Sequence, residues 1–416
     1  MSKKINKNVP KLRFPEFEGD WGKKSLQEIS VNGFSNGVFN DPQKVGSGYR
    51  LINVKDMYSG DSIDVESLTK LELDEKEFLK NKAEYGDIFF TRSSLVKEGI
   101  AYSNVLLEKA EDITYDGHLI KLSPNQSSYL PELIALVLKT DTSRRQFVAR
   151  GKTGTMTTIG QDDVATVKIF CPSLKEQEKI ASFFGSVDRR LTQLRRKQEL
   201  LQTYKRGVMQ KIFSQEIRFK RDDGKPFPDW QKKKLGEIAS RQVKKNLDKS
   251  ITRVLTNSAV QGVVDQQDYF DKDIANADNL AGYYIIEKGD YVYNPRISTS
   301  APVGPIHKNK IGLGVMSPLY TVFRFKTEED AFYEQLFKTS VWHKYMCSVA
   351  NYGARYDRMN ITTSDFMALP LPYPISEEQE KIVDFLTAID RKIETLSRQI
   401  EQTEKFKKCL LQKLFV

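Results

Sequence analysis

Apolar residues recur at alternating three- and four-residue steps in two long stretches of the chain, residues 176–213 and 376–416, neither of which contains proline. Such spacing leaves one narrow apolar stripe along a helix, which is typical of a helix that packs lengthwise on another helix. The pattern therefore predicts a pair of long coiled-coil helices, although two separate surface helices would show a similar stripe. The residues of the predicted packing stripes are Ile180, Phe184, Val187, Leu191, Leu194, Ile382, Leu386, Ile389, Ile393 and Leu396.

The two helical stretches are copies of one sequence. Glu-Gln-Glu-Lys-Ile occurs at 176–180 and again at 378–382, and Asp188 and Asp390 keep the same offset of 202 residues. An internal repeat this long is a duplicated domain rather than a solenoid repeat.

The repeat also has anchors outside the helices. An Asp-Trp pair at 20–21 recurs at 229–230, and a Gly-Asp pair at 86–87 recurs at 289–290. The sequences between these anchors diverge strongly. A shared scaffold with divergent inserts indicates two sites of the same kind with different specificities, whereas simple duplication of a structural domain would leave the divergence between fixed anchors unexplained.

The two divergent regions are predicted to be mixed α/β domains, because short β-branched and aromatic runs alternate in them with turn signals and helical segments. Pro131–Leu138 and Ala331–Trp342 are the clearest helical segments. The expected order is domain 1 over residues 1–173, a central spacer helix over 174–213, domain 2 over 214–375 and a C-terminal spacer helix over 376–416.

Connectivity predicts the direction of the two helices. The first helix leads into domain 2, and domain 2 leads into the second helix. The ends of a compact domain usually lie close together, so the helices should run antiparallel. We therefore expect a pseudo-two-fold arrangement in which the helices separate two similar domains.

Composition favours a soluble protein with an anionic partner. Hydrophobic residues make up 39% of the 416 residues, and 65 Lys and Arg against 55 Asp and Glu give a net charge of +10. This charge favours a polyanion such as DNA, although an ordinary basic protein is about as compatible with it. The chain shows no secretory signal, no apolar run of membrane-spanning length and no metal-type spacing of its three cysteines, so we expect a cytoplasmic protein without a membrane partner.

Two polar loops in each half carry the side chains that base reading requires. Hydrogen-bond donors and acceptors on exposed loops, chiefly Arg, Lys, Asn and Gln, distinguish base pairs in DNA grooves. The predicted DNA-binding residues of the first half are Arg92, Ser93, Ser94, Lys97, Arg144, Arg145, Arg150, Lys152, Thr155 and Thr157. Those of the second half are Asn294, Arg296, Ser298, Thr299, Arg355, Tyr356, Arg358 and Asn360.

Catalytic and metal motifs are expected to be absent. Gly151-Lys152-Thr153 resembles the end of a P-loop, but residue 146 is Gln where that motif requires Gly. His118, His307 and His343 have no companions at metal-ligand spacing. The sequence therefore predicts a binding protein with no catalytic residue, no metal and no cofactor of its own.

Together these features resemble the specificity subunit of type I restriction-modification enzymes, over nearly the whole chain. The doubled order of the motifs is more specific than any one of them. The resemblance rests on the Phe-Pro to Asp-Trp openings at 14–21 and 227–230, the Gly-Asp pairs at 86 and 289, and the Glu-Gln-Glu-Lys-Ile segments at 176–180 and 378–382.

The resemblance implies that the two domains are target-recognition domains, each reading half of a split site in double-stranded DNA. It further implies two modification subunits, which use S-adenosylmethionine to methylate adenine, and restriction subunits, which use ATP and magnesium. Two other interpretations stay open at this point: a nuclease with duplicated domains, and a coiled-coil interaction protein that does not bind DNA.

Overall fold

The computed structural model describes residues 8–269, 277–327, 330–351 and 357–416, without the side chains of 277–279. The chain forms two compact units. Unit 1 consists of the chain up to Arg195 together with Arg398–Val416, and unit 2 is Arg196–Ser397. These bounds cut through both long helices, so each unit contains part of each helix.

Unit 1 begins with twelve short strands and five short helices. The strands are β1 Gly22–Ser25, β2 Ser30–Asn36, β3 Val45–Ile52, β4 Thr69–Leu71, β5 Ile88–Thr91, β6 Ser93–Ser94, β7 Ser103–Val105, β8 Ile113–Tyr115, β9 Leu119–Pro124, β10 Lys152–Thr153, β11 Thr157–Thr158 and β12 Lys168–Cys171. The helices are α1 Leu26–Ile29, α2 Glu75–Lys80, α3 Pro131–Leu138, α4 Asp141–Arg150 and α5 Gln161–Ala165.

The central sheet of unit 1 is antiparallel, with strand order β2-β9-β5-β7. Every residue of β5 is buried, because the sheet is covered on both sides, by the cluster around Phe90 and Phe147 and by the cluster around Phe89 and Tyr115. Unit 1 also has smaller sheets. One pairs β1 with β12, and two three-stranded sheets have the orders β4-β3-β8 and β10-β11-β6.

Unit 2 repeats this plan with ten described strands. Helix α6, Leu174–Phe213, precedes them, and α12, Ser376–Lys413, follows them. The strands are β13 Gln231–Lys234, β14 Ala239–Arg241, β15 Leu255–Ser258, β16 Gly262–Asp265, β17 Tyr284–Ile286, β18 Tyr291–Tyr293, β19 Ile306–Lys308, β20 Gly314–Met316, β21 Thr321–Phe325 and β22 Pro370–Tyr373. The shorter helices are α7 Leu235–Ile238, α8 Gln266–Tyr269, α9 Ala331–Leu336, α10 His343–Val349 and α11 Thr363–Met367.

The central sheet of unit 2 has the order β14-β21-β18-β19, which is the order of unit 1 strand for strand. β13 pairs with β22 as β1 pairs with β12. The remaining two-stranded sheets are β15-β16 and β17-β20. The duplication expected from the sequence is therefore a duplication of fold, and the expected mixed α/β class is confirmed.

The long helices run antiparallel within each unit, as predicted. In unit 1, Lys407 Nζ lies 2.6 Å from Asp188 Oδ1, and Arg195 Nη2 lies 2.6 Å from Glu404 Oε1. In unit 2, Lys205 Nζ lies 2.6 Å from Asp390 Oδ1, and Gln198 Nε2 donates to Ser397 Oγ at 2.6 Å. Within each unit, residue numbers fall on one helix as they rise on the other, and the ion pairs of Lys407 and Lys205 are counterparts in the 202-residue repeat.

The predicted packing stripes lie largely in the interior. Ile180 and Phe184 belong to the unit 1 core together with Leu410 of the second helix. Ile382 and Leu386 belong to the unit 2 core, which also contains Met209, Ile212 and Phe213 of the first helix. The stripe residues Leu191, Leu194, Ile389 and Leu396 are buried, and Val187 and Ile393 are half-buried.

One helical prediction was too long. The segment expected to be helical over 331–342 ends its helix at Leu336, and a separate helix begins at His343. The Thr339 hydroxyl donates to the Leu336 carbonyl at 2.7 Å. In a continuing helix that carbonyl would accept from the amide of residue 340 instead.

Candidate nucleic-acid interface

A buried glutamate holds the first strand region of each unit against the start of a long helix. Glu176 accepts hydrogen bonds from Arg13 Nε and Nη2, both at 2.7 Å, and from Trp21 Nε1 at 3.3 Å. Its side chain is 1% exposed. Because a buried carboxylate requires a compensating charge, Arg13 and Glu176 form a strong structural constraint.

Unit 2 builds the same arrangement around Glu378, which is fully buried. Arg218 Nη2 donates to it at 2.9 Å, and Trp230 Nε1 donates at 2.8 Å. We call each Glu-Arg-Trp set a clasp: clasp 1 is Arg13, Trp21 and Glu176, and clasp 2 is Arg218, Trp230 and Glu378. Sequence analysis found the tryptophans and glutamates as anchors but missed the arginines.

The Gly-Asp anchors form the turn before the central strands β5 and β18. Gly86 has φ +92° and Gly289 has φ +98°, a backbone conformation that favours glycine. Asp87 Oδ2 accepts from the Glu84 amide at 2.9 Å, and Asp290 Oδ2 accepts from the Glu287 amide at 2.7 Å. The same turn thus starts the strand that leads to a predicted DNA-binding loop in each unit.

The two predicted loops of the first half lie side by side. Strand β11 pairs with β10 on one side and with β6 on the other, in the registers Lys152↔Thr158 and Thr157↔Ser94. The Ile159 amide also donates to the Arg92 carbonyl at 3.0 Å. We call the surface formed by residues 92–97 and 152–158 edge 1.

The two predicted loops of the second half are joined in the same way. Antiparallel bridges link Arg296 with Arg358 and Asn351 with Asn360. We call the surface formed by residues 294–300, 351 and 357–360 edge 2. Arg355 and Tyr356, which were predicted to bind DNA, lie outside the described residues.

Edge 1 presents several of its predicted residues to solvent. Arg92, Lys97, Lys152 and Thr155 are exposed, as is Arg145 on α4; Ser93 and Ser94 are half-buried, and Thr157 is buried. Arg92 Nη1 donates to the Gly117 carbonyl at 3.1 Å, and Lys152 Nζ lies 3.2 Å from Asp163. Each of these two cations therefore has one partner and keeps donors for a ligand.

Two other predicted arginines donate hydrogen bonds within unit 1. Arg144 donates to the carbonyls of Glu98, Ile100 and Ala101, and its burial lowers the pKa of the guanidinium. Arg150 donates to Thr166 Oγ1 at 2.9 Å and to the Gln146 carbonyl at 2.8 Å. Both arginines thus bond to groups of unit 1 beside edge 1, and their binding to DNA stays a prediction.

Edge 2 is more polar. Arg296, Ser298, Thr299 and Asn360 are exposed. Arg296 Nε lies 3.8 Å from Asp357, a distance that leaves its other donors accessible.

The remaining predicted residues of edge 2 are half-buried. Asn294 donates to the Asn257 carbonyl at 2.9 Å and accepts from the Arg296 amide at 3.0 Å. Arg358 Nε lies 3.7 Å from Asp357.

His118 is a neighbour of edge 1 that sequence analysis considered only as a metal ligand. Its side chain is 70% exposed, and its Nδ1 lies 2.8 Å from the buried Asp116 carboxylate. The Arg92 amide donates to its carbonyl at 3.0 Å. The Asp-Gly-His sequence could have indicated an oriented imidazole beside Arg92.

Within the described ranges, no cluster of three metal-ligating side chains is found, and no helix is long and apolar enough to cross a bilayer. Two copies of one scaffold, each with a different polar edge, define a protein with a duplicated α/β domain. The sequence profile of the type I restriction modification DNA specificity domain matches residues 18–202 and 228–405. The chain therefore belongs to this family and carries two copies of its domain.

Individual relatives agree with this assignment. The chain is 25% identical over 429 aligned residues to a putative type I restriction enzyme MjaX specificity subunit of Methanocaldococcus jannaschii, covering 97% of this chain and 95% of that one. It is also 25% identical over 266 residues to the MjaVIII specificity subunit of the same organism, covering 59% and 60%.

Solved structures share the fold. The type I restriction-modification S subunit from M. genitalium matches with a TM-score of 0.51 at 14% identity, over 98% of this chain and 99% of that one. A chain from a structural study of complex assembly and conformational transition of the type I R-M system matches with a TM-score of 0.56 at 14% identity, over 94% and 96%.

Proposed function

We propose that edge 1 and edge 2 each read one half of a bipartite site in double-stranded DNA. The observation that carries the proposal is that the edges occupy equivalent places in two copies of one fold yet differ in nearly every exposed side chain. Arg92 follows β5 and Arg296 follows β18, and an arginine in the major groove can bind guanine O6 and N7 together. Equivalent frames with different edges suit two half-sites of different sequence.

The net charge supports the same partner. At +10 the chain is suited to contact phosphates, which fix the position of a protein on DNA without reading its sequence. Binding by the assembled complex should therefore weaken steeply as salt rises. Binding that is insensitive to salt, or absent, would favour an interaction protein that does not bind DNA.

Two modification subunits are the proposed protein partners, one for each unit. Tyr204 in unit 2 and Phe406 in unit 1 are counterparts in the repeat, and each is 54% exposed on a long helix. Leu200, one turn before Tyr204, is 52% exposed. Equivalent exposed aromatic residues on equivalent helices suit a partner that binds twice.

Co-purification would test this docking surface. Tyr204→Ser or Phe406→Ser alone should reduce the bound modification subunits from two to one, and the double variant should bind none. Arg206→Ser and Lys408→Ser, exposed counterparts two residues further along, provide the matched control. If the aromatic and control variants behave alike, the docking proposal fails.

The chemistry is proposed to reside in the partners. The modification subunits would bind S-adenosylmethionine and methylate adenine, and restriction subunits would use ATP and magnesium to cleave. This chain, working in the cytoplasm, would supply recognition and assembly without catalysing a step. DNA cleavage by the purified chain with a metal ion would overturn this division in favour of a nuclease.

Single-molecule sequencing of host DNA, with and without this gene, tests the whole proposal. Methylated adenine should appear at one bipartite motif only when the gene and its modification subunit are present. Exchanging residues 227–373 for those of a relative should change one half of the motif, and exchanging 15–173 should change the other. A change in both halves after either exchange would contradict the assignment of edges to half-sites.

A further inference from the structure

Edge 1 carries three exposed apolar side chains. Leu95 is 86% exposed, Val96 is 61% exposed and Met156 is 42% exposed. Leu95 and Val96 directly follow β6, and Met156 lies in the turn between β10 and β11, so the pairing of these strands brings the two loops together. Scattered exposed aliphatic residues are common in proteins, but two adjacent ones at the tip of a predicted recognition loop suggest a contact.

The loop that holds Leu95 and Val96 is braced from within. Ser94 Oγ accepts from the Val96 amide at 3.3 Å, and the Gly99 amide donates to the Val96 carbonyl at 3.1 Å. Arg144 donates to the Glu98 carbonyl just beyond the tip. The aliphatic side chains are therefore held outward before any ligand binds, which lowers the entropic cost of a contact.

Edge 2 has a different tip. Ser298, Thr299 and Ser300 are exposed where edge 1 has Leu95 and Val96. Among the described residues of edge 2, no large apolar side chain is exposed, since Ile297 is half-buried and Met359 is 5% exposed. The two edges thus offer opposite chemistry at equivalent places.

The surroundings of the apolar tip favour DNA over another protein. Arg92 and Lys97 flank Leu95 and Val96 and are exposed, so the apolar surface lies between cations that suit phosphates. The apolar group that base edges present in the major groove is the C5-methyl of thymine. We propose that Leu95 and Val96 contact a thymine methyl group in the half-site read by edge 1, an inference that rests on the proposed function.

The test replaces thymine by uracil, which lacks only that methyl group. The assembled complex with its modification subunits would be titrated with duplexes carrying the methylated motif, with each thymine changed to uracil in turn. A methylated adenine pairs with thymine, so each half-site offers at least one position to test. Uracil at one position in the half-site of edge 1 should weaken binding of the complex about four-fold. That is the expected effect of removing one methyl group from a buried contact.

Leu95→Ala links that effect to the side chain. The variant should reduce the preference for the thymine duplex, and the Leu95→Ala, Val96→Ala double variant should abolish it. Both should unfold like the wild type, because Leu95 and Val96 are exposed. Leu79→Ala, at a 62% exposed leucine of α2 outside edge 1, should keep the full thymine preference. Uracil in the half-site of edge 2 should leave binding unchanged.

Three outcomes would overturn the inference. Specific binding without any uracil effect in the first half-site would exclude the methyl contact, and so would a uracil effect that persists in a Leu95→Ala, Val96→Ala double variant. Release of modification subunits from that variant without DNA would make the tip a protein contact. Failure of the wild-type complex to bind any specific duplex would overturn the proposed function itself, which separates the two failures.

Discussion

Unit 1 and unit 2 share three interior features and differ at their edges. Both contain a buried clasp, a Gly-Asp turn before the central strand and the same order of sheet strands. Edge 1 combines arginine and lysine with exposed aliphatic residues, whereas edge 2 combines arginine with hydroxyl groups. The frame needs fixed residues because its groups are buried, while residues at the edges can change at little cost in stability.

The Gly-Asp turn has different neighbours in the two units. A Cβ added at Gly86 would lie 2.5 Å from Gln126 Nε2 and 2.8 Å from Pro131 Cγ, whereas one added at Gly289 would meet nothing within 4 Å. The same turn is therefore crowded in unit 1 and open in unit 2. This difference allows the comparison to be tested with matched substitutions.

The largest expected effect comes from breaking the clasps. Arg13→Ala and Arg218→Ala should each lower the free energy of unfolding by about 3–5 kcal/mol, because each leaves a buried carboxylate without its positively charged partner. Denaturant unfolding would measure the loss, and hydrogen exchange would show which unit opens.

The control for the clasps is Lys405→Ala, which removes one member of an exposed ion pair with Glu401 and should leave unfolding unchanged. If only one arginine variant is destabilised, the two clasps do not contribute equally to stability, and the equivalence of the two units is contradicted.

Alanine at the two turn glycines should separate the units. Gly289→Ala should lower the free energy of unfolding by about 1–3 kcal/mol, because alanine disfavours this backbone conformation. Gly86→Ala carries the same strain plus about 1–3 kcal/mol for crowding against Gln126 and Pro131. Thermal unfolding of both variants measures the difference. Adding Gln126→Ala to Gly86→Ala should recover part of the loss, and equal losses for the two glycine variants would contradict the crowding.

The edges themselves are compared by Arg92→Ala and Arg296→Ala. Each variant should lose about 1–3 kcal/mol of DNA-binding free energy at one base position, and the two positions should fall in opposite halves of the motif. Binding measured against duplexes with single base changes gives the pattern, with Arg398→Ala as a control on an exposed helical arginine outside both edges. A loss that is uniform across all duplexes would assign the side chain to a phosphate instead.

The smallest expected effect is a pH dependence specific to unit 2. Burial lowers the pKa of His307 and of His343, so below pH about 6.5 the unfolded chain binds protons that the folded unit does not. Stability of unit 2 is therefore complete above that pH and declines as pH falls towards the folded pKa values. The one histidine of unit 1, His118, is 70% exposed.

Hydrogen exchange at pH 7.5 and pH 5.5 would compare the two units in one sample. Unit 2 should lose more protection on acidification, and His307→Gln with His343→Gln should reduce that loss. An equal loss in both units, unchanged in the double variant, would exclude the histidines as its source.

Periodicity and repetition made much of this fold predictable. The stripe spacing gave both long helices nearly to the residue, and chain connectivity gave their antiparallel direction. The clasp arginines were missed although both stand in an aliphatic-Arg-Phe segment, at 12–14 and 217–219, because the two openings were aligned on Phe-Pro and Asp-Trp instead. This segment does not indicate the buried partner of its arginine, because Glu176 and Glu378 lie 163 and 160 residues further along the chain.

The edges were predictable as loops but not side chain by side chain. Arg92 and Arg144 are equally polar in sequence, yet one faces solvent and the other donates to three carbonyls of its own unit. That distinction depends on where α4 packs, which local pattern does not determine. The same holds for the outward direction of Leu95 and Val96.

The composition of unit 1 has a consequence for biosynthesis. Its core includes Leu414 and Phe415, and Phe415 packs edge-on against Trp21 with ring centroids 6.0 Å apart. Residues 398–416 leave the ribosome only after the whole of unit 2 has been synthesised. A product terminated just before residue 398 would therefore keep all of unit 2 but lack Leu410, Leu414 and Phe415 from the core of unit 1.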